Sequence, residues 1–407
     1  MAIQSAQSEP SQGEPALTPL AFRADGLGGG RGERAVEGCW YVLRDDPDPT
    51  GQVGQLMKEH ARDGSCWAIL LSYELGGWVE PHARSSVPDP LDFPLAVLMR
   101  LGEPIEPTAP LDQTFAIGQI SSGTGRDGYL ASVRRVREYI AAGDIYQANI
   151  AHKLISRFDG DPAACASALT QAAAPRYGAS MRFCRDGISH TICSISPELF
   201  VRVDRAQGRI KTEPMKGTRP SGVDASELEQ SDKDRAELNM ITDLMRNDIG
   251  RVCTLGSVRV HTPRRIEPHA SGVLQASSVI EGQLRDDVDV PMLIRAIFPP
   301  GSITGAPKVR AMQIIDELEH EPRRSYCGSM MYIDEDGNIE ASVAIRTAHI
   351  WGGIDPDCPG MVRDGRFEFP VGAGIVADSD PASEWAETLV KARVLERLLG
   401  VDLSTVG

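Results

Sequence analysis

Between Arg126 and Leu399, helical and strand periodicities alternate without the strict strand–helix–strand repeat that a parallel sheet demands. Tyr129, Val133, Val136 and Ile140 recur at helical spacing, and Gly143 is placed to end that helix. The stretch Ile145-Tyr146-Gln147-Ala148-Asn149-Ile150 then alternates with period two, which sets Gln147 and Asn149 on one face of a strand. A second helix is predicted over Asp232 to Asn247, on the apolar positions Leu238, Ile241 and Met245, with Gly250 just past its end. Asp336-Gly337-Asn338 marks a hairpin, and the strand after it would carry Ser342, Ala344 and Arg346 on one face. The last helix starts at Pro381 with Asp380 as its N-cap, and Glu384, Glu387 and Lys391 share one of its faces. This interleaving predicts an α+β fold: two mixed, largely antiparallel sheets packed together and flanked by helices.

The rest of the chain is organised around that region. Residues 1–16 are small and polar, without the basic start and apolar stretch of a secretory signal, and read as a disordered tail. Residues 17–110 form an N-terminal region packing on the core. Its apolar run Ala68 to Leu75 is predicted as a buried strand that leaves through a turn at Gly76-Gly77. Gly102 to Pro110, with three prolines and two glutamates, reads as a connector, and 120–407 as the larger unit. No apolar run approaches the roughly 18 residues of a membrane span. The net charge of −15 argues against a nucleic-acid partner, and it requires any anionic substrate to be met by a local cluster of cations, backbone N–H groups or metal. Eight cysteines include no Cys-x-x-Cys pair, which fits buried thiols in a reducing, cytoplasmic setting.

Two glycine-rich stretches invite a nucleotide reading and fail it. Gly372-Ala373-Gly374 does not open a helix, because the next one starts at Pro381. Gly301 to Lys308 has the wrong spacing for a phosphate loop, although Pro307 at a helix start would leave the N–H groups of 302–306 free for an anion. Carboxylate pairs are suggestive of a hard cation: Asp234 with Glu237, and Glu384 with Glu387. Each pair alone is more often a solvated helix face, Lys216 alone more often a surface lysine, and Arg346 alone could simply be one half of an ion pair.

Their company is more specific. In order, the chain carries Tyr146-Gln147-Ala148-Asn149, then Ser196-Pro197-Glu198-Leu199-Phe200, then Pro214-Met215-Lys216-Gly217-Thr218-Arg219-Pro220. Asp234-Arg235-Ala236-Glu237, Leu244 to Arg251, Phe298 to Met312, Ala344 to Thr347, Gly372 to Asp378 and Glu384 to Lys391 follow. Together they resemble the chorismate-utilising enzymes, which include anthranilate, aminodeoxychorismate, isochorismate and salicylate synthases. The resemblance covers about Arg126 to Leu399, with a weak extension at Leu71-Ser-Tyr-Glu-Leu-Gly76.

The resemblance implies a mechanism. Isochorismate and salicylate synthases carry a water-activating lysine where this chain has Gln147, so ammonia is the implied nucleophile here. Lys216 resembles the nucleophilic lysine of aminodeoxychorismate synthases, where anthranilate synthases carry a small residue. Mg²⁺ on Glu237 and Glu387, with Glu384 through water, would bind the ring carboxylate of chorismate. Arg346, Lys391, Tyr332 and the backbone of Gly372, Ala373 and Gly374 would hold the substrate. Glu198 would protonate the departing hydroxyl, and Thr304 would contact it or cap the helix at Pro307. A separate glutamine amidotransferase subunit would supply ammonia. The implied product is 4-amino-4-deoxychorismate, on the route to p-aminobenzoate and folate. Anthranilate formation is the alternative, and a degenerate subunit that binds chorismate or a partner without turnover is a third. Two departures stand out: Gln275 where relatives carry histidine, and Met331-Tyr332 where a Gly-Tyr pair is usual, the added side chain then narrowing the pocket.

Overall fold

A computed structural model describes residues 21–29, 31–105, 114–220, 224–269, 273–356, 358 and 360–406. The expected tail at 1–16 and the later part of the expected connector lie outside these residues. The earlier part of that connector is not a linker but the end of a strand, Ala96–Ile105.

Every named strand ladder is antiparallel, and the ladders join into one continuous network. From one edge, Arg259–His269 pairs with Val273–Gln283, which pairs with Arg209–Glu213, and then come Leu199–Asp204, Ile339–Val343 and Ser329–Ile333. Ser329–Ile333 pairs with Cys66–Leu71, which passes the ladder to Ala96–Ile105 and Arg31–Val42. Through Ala21–Asp25 it reaches Gly178–Arg185, Ile188–Ser194, Thr347–Gly353, Val362–Ile375 and Gln147–Gly160. The early strands thus sit mid-network, hydrogen-bonded to later strands on both sides. One core cluster mixes Leu70, Val97 and Met330 with Met181, Phe183 and Ile192, so the network bends until its two halves face each other. This explains why Cys66 to Leu71 lacks polar alternation: all six residues are buried.

Helices cover the outside. Gly125–Ala141 and Pro381–Lys391 form where the apolar spacing placed them, and the Asp380 carboxylate accepts from the Ser383 amide. Asp232–Gly250 runs through Gly250 rather than stopping before it. The run after Leu71 leaves the strand early. Tyr73–Leu75 turns as a 3₁₀ segment into the short helix Gly76–Val79, because the Glu74 carboxylate must reach inward to the Arg323 and Arg324 amides. The hairpin at 336–338 is present, with Gly337 at φ 78°. Arg346 departs from expectation. Its strand ends at Val343, and Arg346 occupies a turn at φ 49° whose carbonyl accepts from the Ile195 amide. The 302–306 segment is likewise no open anion nest. Gly305–Ala306 pairs with Gln147 and Ala148, and the Thr304 carbonyl accepts from the Asn149 amide.

Candidate active site

The principal cavity, of about 620 Å³, opens between the Val362–Ile375 strand, the Asp232–Gly250 helix and the Pro381–Lys391 helix. It brings together Glu198, Lys216, Glu237, Arg346, Gly372, Gly374, Glu384, Glu387 and Lys391, which the sequence scatters over nearly two hundred residues.

Lys216 projects from Met215–Pro220. The register slips between Lys216, opposite Ala276, and Thr218, opposite Gln275, so Gly217 forms a bulge at φ 78°. A bulge re-aims the neighbouring side chain, and only glycine adopts that φ without strain. The Lys216 amine donates to the Ser302 carbonyl at 3.3 Å. What exposure Lys216 retains opens into the cavity, so its ammonium meets enclosed rather than bulk solvent. Burial therefore lowers its pKa; the Glu237 charge opposes this and Lys391 adds to it.

Glu198 is 4% exposed, between Ile188–Ser194 and Leu199–Asp204. Burial pushes its carboxyl up to about 7, against the lowering influence of the nearby Ser302 hydroxyl and of the Lys216 and Arg346 charges. Burial also brings the Arg346 guanidinium down to about 10, with Glu198 opposing. The cavity therefore pairs a lysine eased toward neutrality with a glutamic acid that holds its proton near neutral pH, the division expected of a nucleophile and a general acid.

The floor is built by Gln147–Gly160 against Val362–Ile375, with Asn149 opposite Gly374. Gln147 is fully buried, and among the described residues neither its amide oxygen nor its nitrogen has a hydrogen-bond partner; the Asn149 side-chain oxygen has none either. Such groups are costly unless water or a ligand completes them. A Cβ on Gly374 would stand 2.5 Å from the Gln147 nitrogen and 3.2 Å from the Lys216 amine. Gly374→Ala is therefore expected to cut kcat/KM at least tenfold while the protein melts within a few degrees of wild type. Steady-state kinetics beside a thermal melt check this, and unchanged kinetics would show that the two groups do not need that space.

The carboxylates have company. Glu384 accepts from the Ser379 hydroxyl at 2.6 Å, and Glu387 pairs with Lys391 at 2.9 Å. The Lys391 ammonium also donates to the Gly372 carbonyl at 2.7 Å. No cluster of three or more metal-ligating side chains is assembled among the described residues.

Gln147 lies beneath the floor without lining the cavity, and three other expected site residues lie elsewhere. Thr304 is fully buried behind the wall, donating to the Pro300 carbonyl at 3.2 Å, and it neither lines the cavity nor caps the helix Lys308–Glu319. Ala373 is fully buried and does not line the cavity, so its backbone is not offered to a substrate there. Tyr332 faces away, its hydroxyl accepting from Arg34 at 3.0 Å and its ring stacked on Phe22; Met331 packs in the core opposite Ile69 and narrows nothing.

The aromatic residue that does line the cavity is Tyr326, together with Asn149, Ser302, Asp234 and Gln275. Asn149 was legible, since period-two alternation put it on the face of Gln147. Tyr326 was not: it follows a turn with Arg324 at φ 55° and precedes Cys327 at φ 60°, and no residue type advertises that path. Arg323 secures it. The guanidinium bonds the Asn149 carbonyl at 2.7 Å and the Ile303 carbonyl at 3.3 Å, pairs with Glu319, and lies over the rings of Tyr73 and Tyr326.

A cavity holding a proton-retaining carboxyl, an eased amine and cations suited to carboxylates has the groups to bind a small anion and to exchange a proton with it. Residues 95–397 match the chorismate binding enzyme family, and the chain belongs to that family. It is 38% identical over 296 residues to anthranilate synthase component 1 of Acinetobacter calcoaceticus, covering 70% of this chain and 56% of that protein. It is 39% identical over 300 residues to aminodeoxychorismate synthase component 1 of Klebsiella aerogenes, covering 72% and 62%. The match thus spans less than two thirds of either relative. Anthranilate synthase component I from Streptococcus pneumoniae TIGR4 shares the fold, at TM-score 0.73 and 21% identity over 94% of both chains. No helix among the described residues is long and apolar enough to cross a membrane.

Proposed function

We propose that the chain aminates chorismate at ring carbon 4, giving 4-amino-4-deoxychorismate. The observation that carries this reading is the Lys216 amine standing in the same cavity as the buried Glu198 carboxyl. Lys216, as a neutral amine, forms a C–N bond at ring carbon 2 while the C–O bond at carbon 4 breaks. The departing oxygen takes the Glu198 proton and leaves as water. Ammonia then forms a C–N bond at carbon 4 as the lysine C–N bond breaks, and the ring diene returns to its first arrangement. Arg346 and Lys391 hold the two carboxylates, and the unsatisfied Gln147 amide, buried beside Gly374 as the Lys216 amine is, does not compete for the proton of the incoming ammonia. Ammonia comes from a glutamine amidotransferase partner in this reading.

The donor set fits a hydrated divalent cation rather than a closed protein cage, since Mg²⁺ uses one or two carboxylates and keeps waters. Glu237 and Glu387, with Glu384 through a water, would hold Mg²⁺, which there would act as a Lewis acid on the ring carboxylate. Glu237→Gln is accordingly expected to raise the Mg²⁺ concentration for half-maximal rate by about tenfold or more, and chelation of the metal to stop turnover reversibly. A magnesium titration decides it, and a rate indifferent to chelator would remove the metal from the scheme.

Anthranilate formation is the second reading, favoured by relatives of that name at nearly the same identity. Incubation with chorismate, Mg²⁺ and ammonium at mildly alkaline pH, followed by mass-resolved chromatography, separates the two. A non-aromatic amine retaining the enolpyruvyl group supports the proposal, whereas anthranilate with pyruvate overturns it.

A further inference from the structure

The cavity does not end at its buried floor. Its other end meets solvent along the Pro381–Lys391 and Arg393–Leu399 helices, where Val390, Arg393 and Arg397 line it and are exposed. Arg393 and Arg397 are four residues apart and leave one face of their helix together. Neither is tied by an ion pair or hydrogen bond to another described residue. The inner cation Lys391, by contrast, is already engaged with Glu387 and the Gly372 carbonyl. The neighbouring acid Glu396, whose carboxylate accepts from the Leu403 amide at 3.2 Å, also lines the cavity, and one carboxylate against two guanidinium groups leaves this end net positive.

Charge makes this placement consequential. The chain carries −15 overall, and Glu237, Glu384 and Glu387 line the cavity. A dianion approaching such a surface is repelled unless the entrance itself is positive. The walls inward of the arginines, Ile195, Val371 and Val394, are apolar and offer no competing hold on a carboxylate.

We infer that Arg393 and Arg397 form an anion-collecting entrance that draws a small dicarboxylate into the cavity and passes it to Arg346 and Lys391. The inference rests on chorismate being the ligand, but not on which product is made. Exposed charges act mainly on encounter, and salt screens them. Arg393 and Arg397 are therefore steering residues, not catalytic ones.

Stopped-flow fluorescence with chorismate tests this on the full chain. The double variant Arg393→Gln/Arg397→Gln is compared with Arg157→Gln/Arg209→Gln, a pair exposed outside the cavity that changes net charge equally. At low ionic strength the entrance variant should associate about three- to tenfold more slowly. Its kcat/KM should fall in step while kcat holds, and the deficit should vanish near about 0.5 M salt. The control should match wild type. Wild-type association by the entrance variant, an equal loss in the control, or a deficit that survives high salt would each overturn the inference. If wild type binds chorismate but releases anthranilate, the proposed activity fails and the steering result still stands. Absence of any saturable chorismate binding removes both.

Discussion

Lys216→Ala is expected to lower the rate of 4-amino-4-deoxychorismate formation by about a thousandfold or more, because covalent catalysis has no substitute once the nucleophile is gone. The loss should fall on kcat. In the proposed reaction Arg346 and Lys391 still hold the dianion, so KM should move far less. The fold should survive. Lys216 contributes one 3.3 Å hydrogen bond to Ser302 and an enclosed charge, and removal of such a charge is compatible with a small change in melting temperature. The variant should therefore elute and melt like wild type, bind chorismate, and make almost no aminated product. Product at the wild-type rate would mean that ammonia attacks directly, and that the lysine is a structural neighbour of Glu237.

Glu198→Gln is expected to reduce kcat by about 10²–10⁴, the usual contribution of a positioned general acid. Its pH signature is more diagnostic than its size. The acid must be protonated to act, so in wild type the Glu198 limb of the rate declines as pH rises through about 7. Lys216 needs the opposite, because its neutral form grows with pH. The two together give a bell in kcat/KM, and the glutamine variant should lose the alkaline decline.

Stability gives an independent reading of the same group. Its folded pKa is raised from an ordinary value of 4.5 to about 7, so the folded state binds the proton more tightly than the unfolded chain. The stabilisation is full below about pH 4.5 and is lost as pH rises through about 7, by at most about 3 kcal/mol. Glutamine does not titrate. The melting temperature of the variant relative to wild type should thus climb between pH 5 and pH 8, in ligand-free protein. A flat difference would mean that the Glu198 carboxyl is ionised throughout and cannot be the acid.

Local chemistry explains which parts of this site were readable. The Pro381 helix, with its Asp380 cap and its face of Glu384, Glu387 and Lys391, follows from short-range rules, and so does the alternation that pairs Gln147 with Asn149. Arg346 and Tyr326 reach the cavity from turns with positive φ at non-glycine residues, a conformation the surrounding fold imposes and composition does not announce. Tyr332 misled for the complementary reason: a tyrosine in a strand is placed by sheet register, and its register with Ala68 turns it toward Arg34 and Phe22. The bulge at Gly217 illustrates both sides. A glycine after a candidate nucleophile is visible in the sequence, but the register slip that aims the lysine depends on a strand sixty residues later.

The position of Cys66–Leu71 in the middle of the ladder sets an order of events during synthesis. This strand finds one neighbour soon, in Ala96–Ile105, but its other neighbour, Ser329–Ile333, leaves the ribosome only after more than half of the chain has followed. Until then one of its edges, with the apolar surface of Ile69 and Leu71, has no native covering. Closing contacts so distant in sequence is slow, and an uncovered strand edge pairs readily with other chains. The yield of active protein should therefore depend on temperature and on holding chaperones during translation, more than on the stability of the finished molecule.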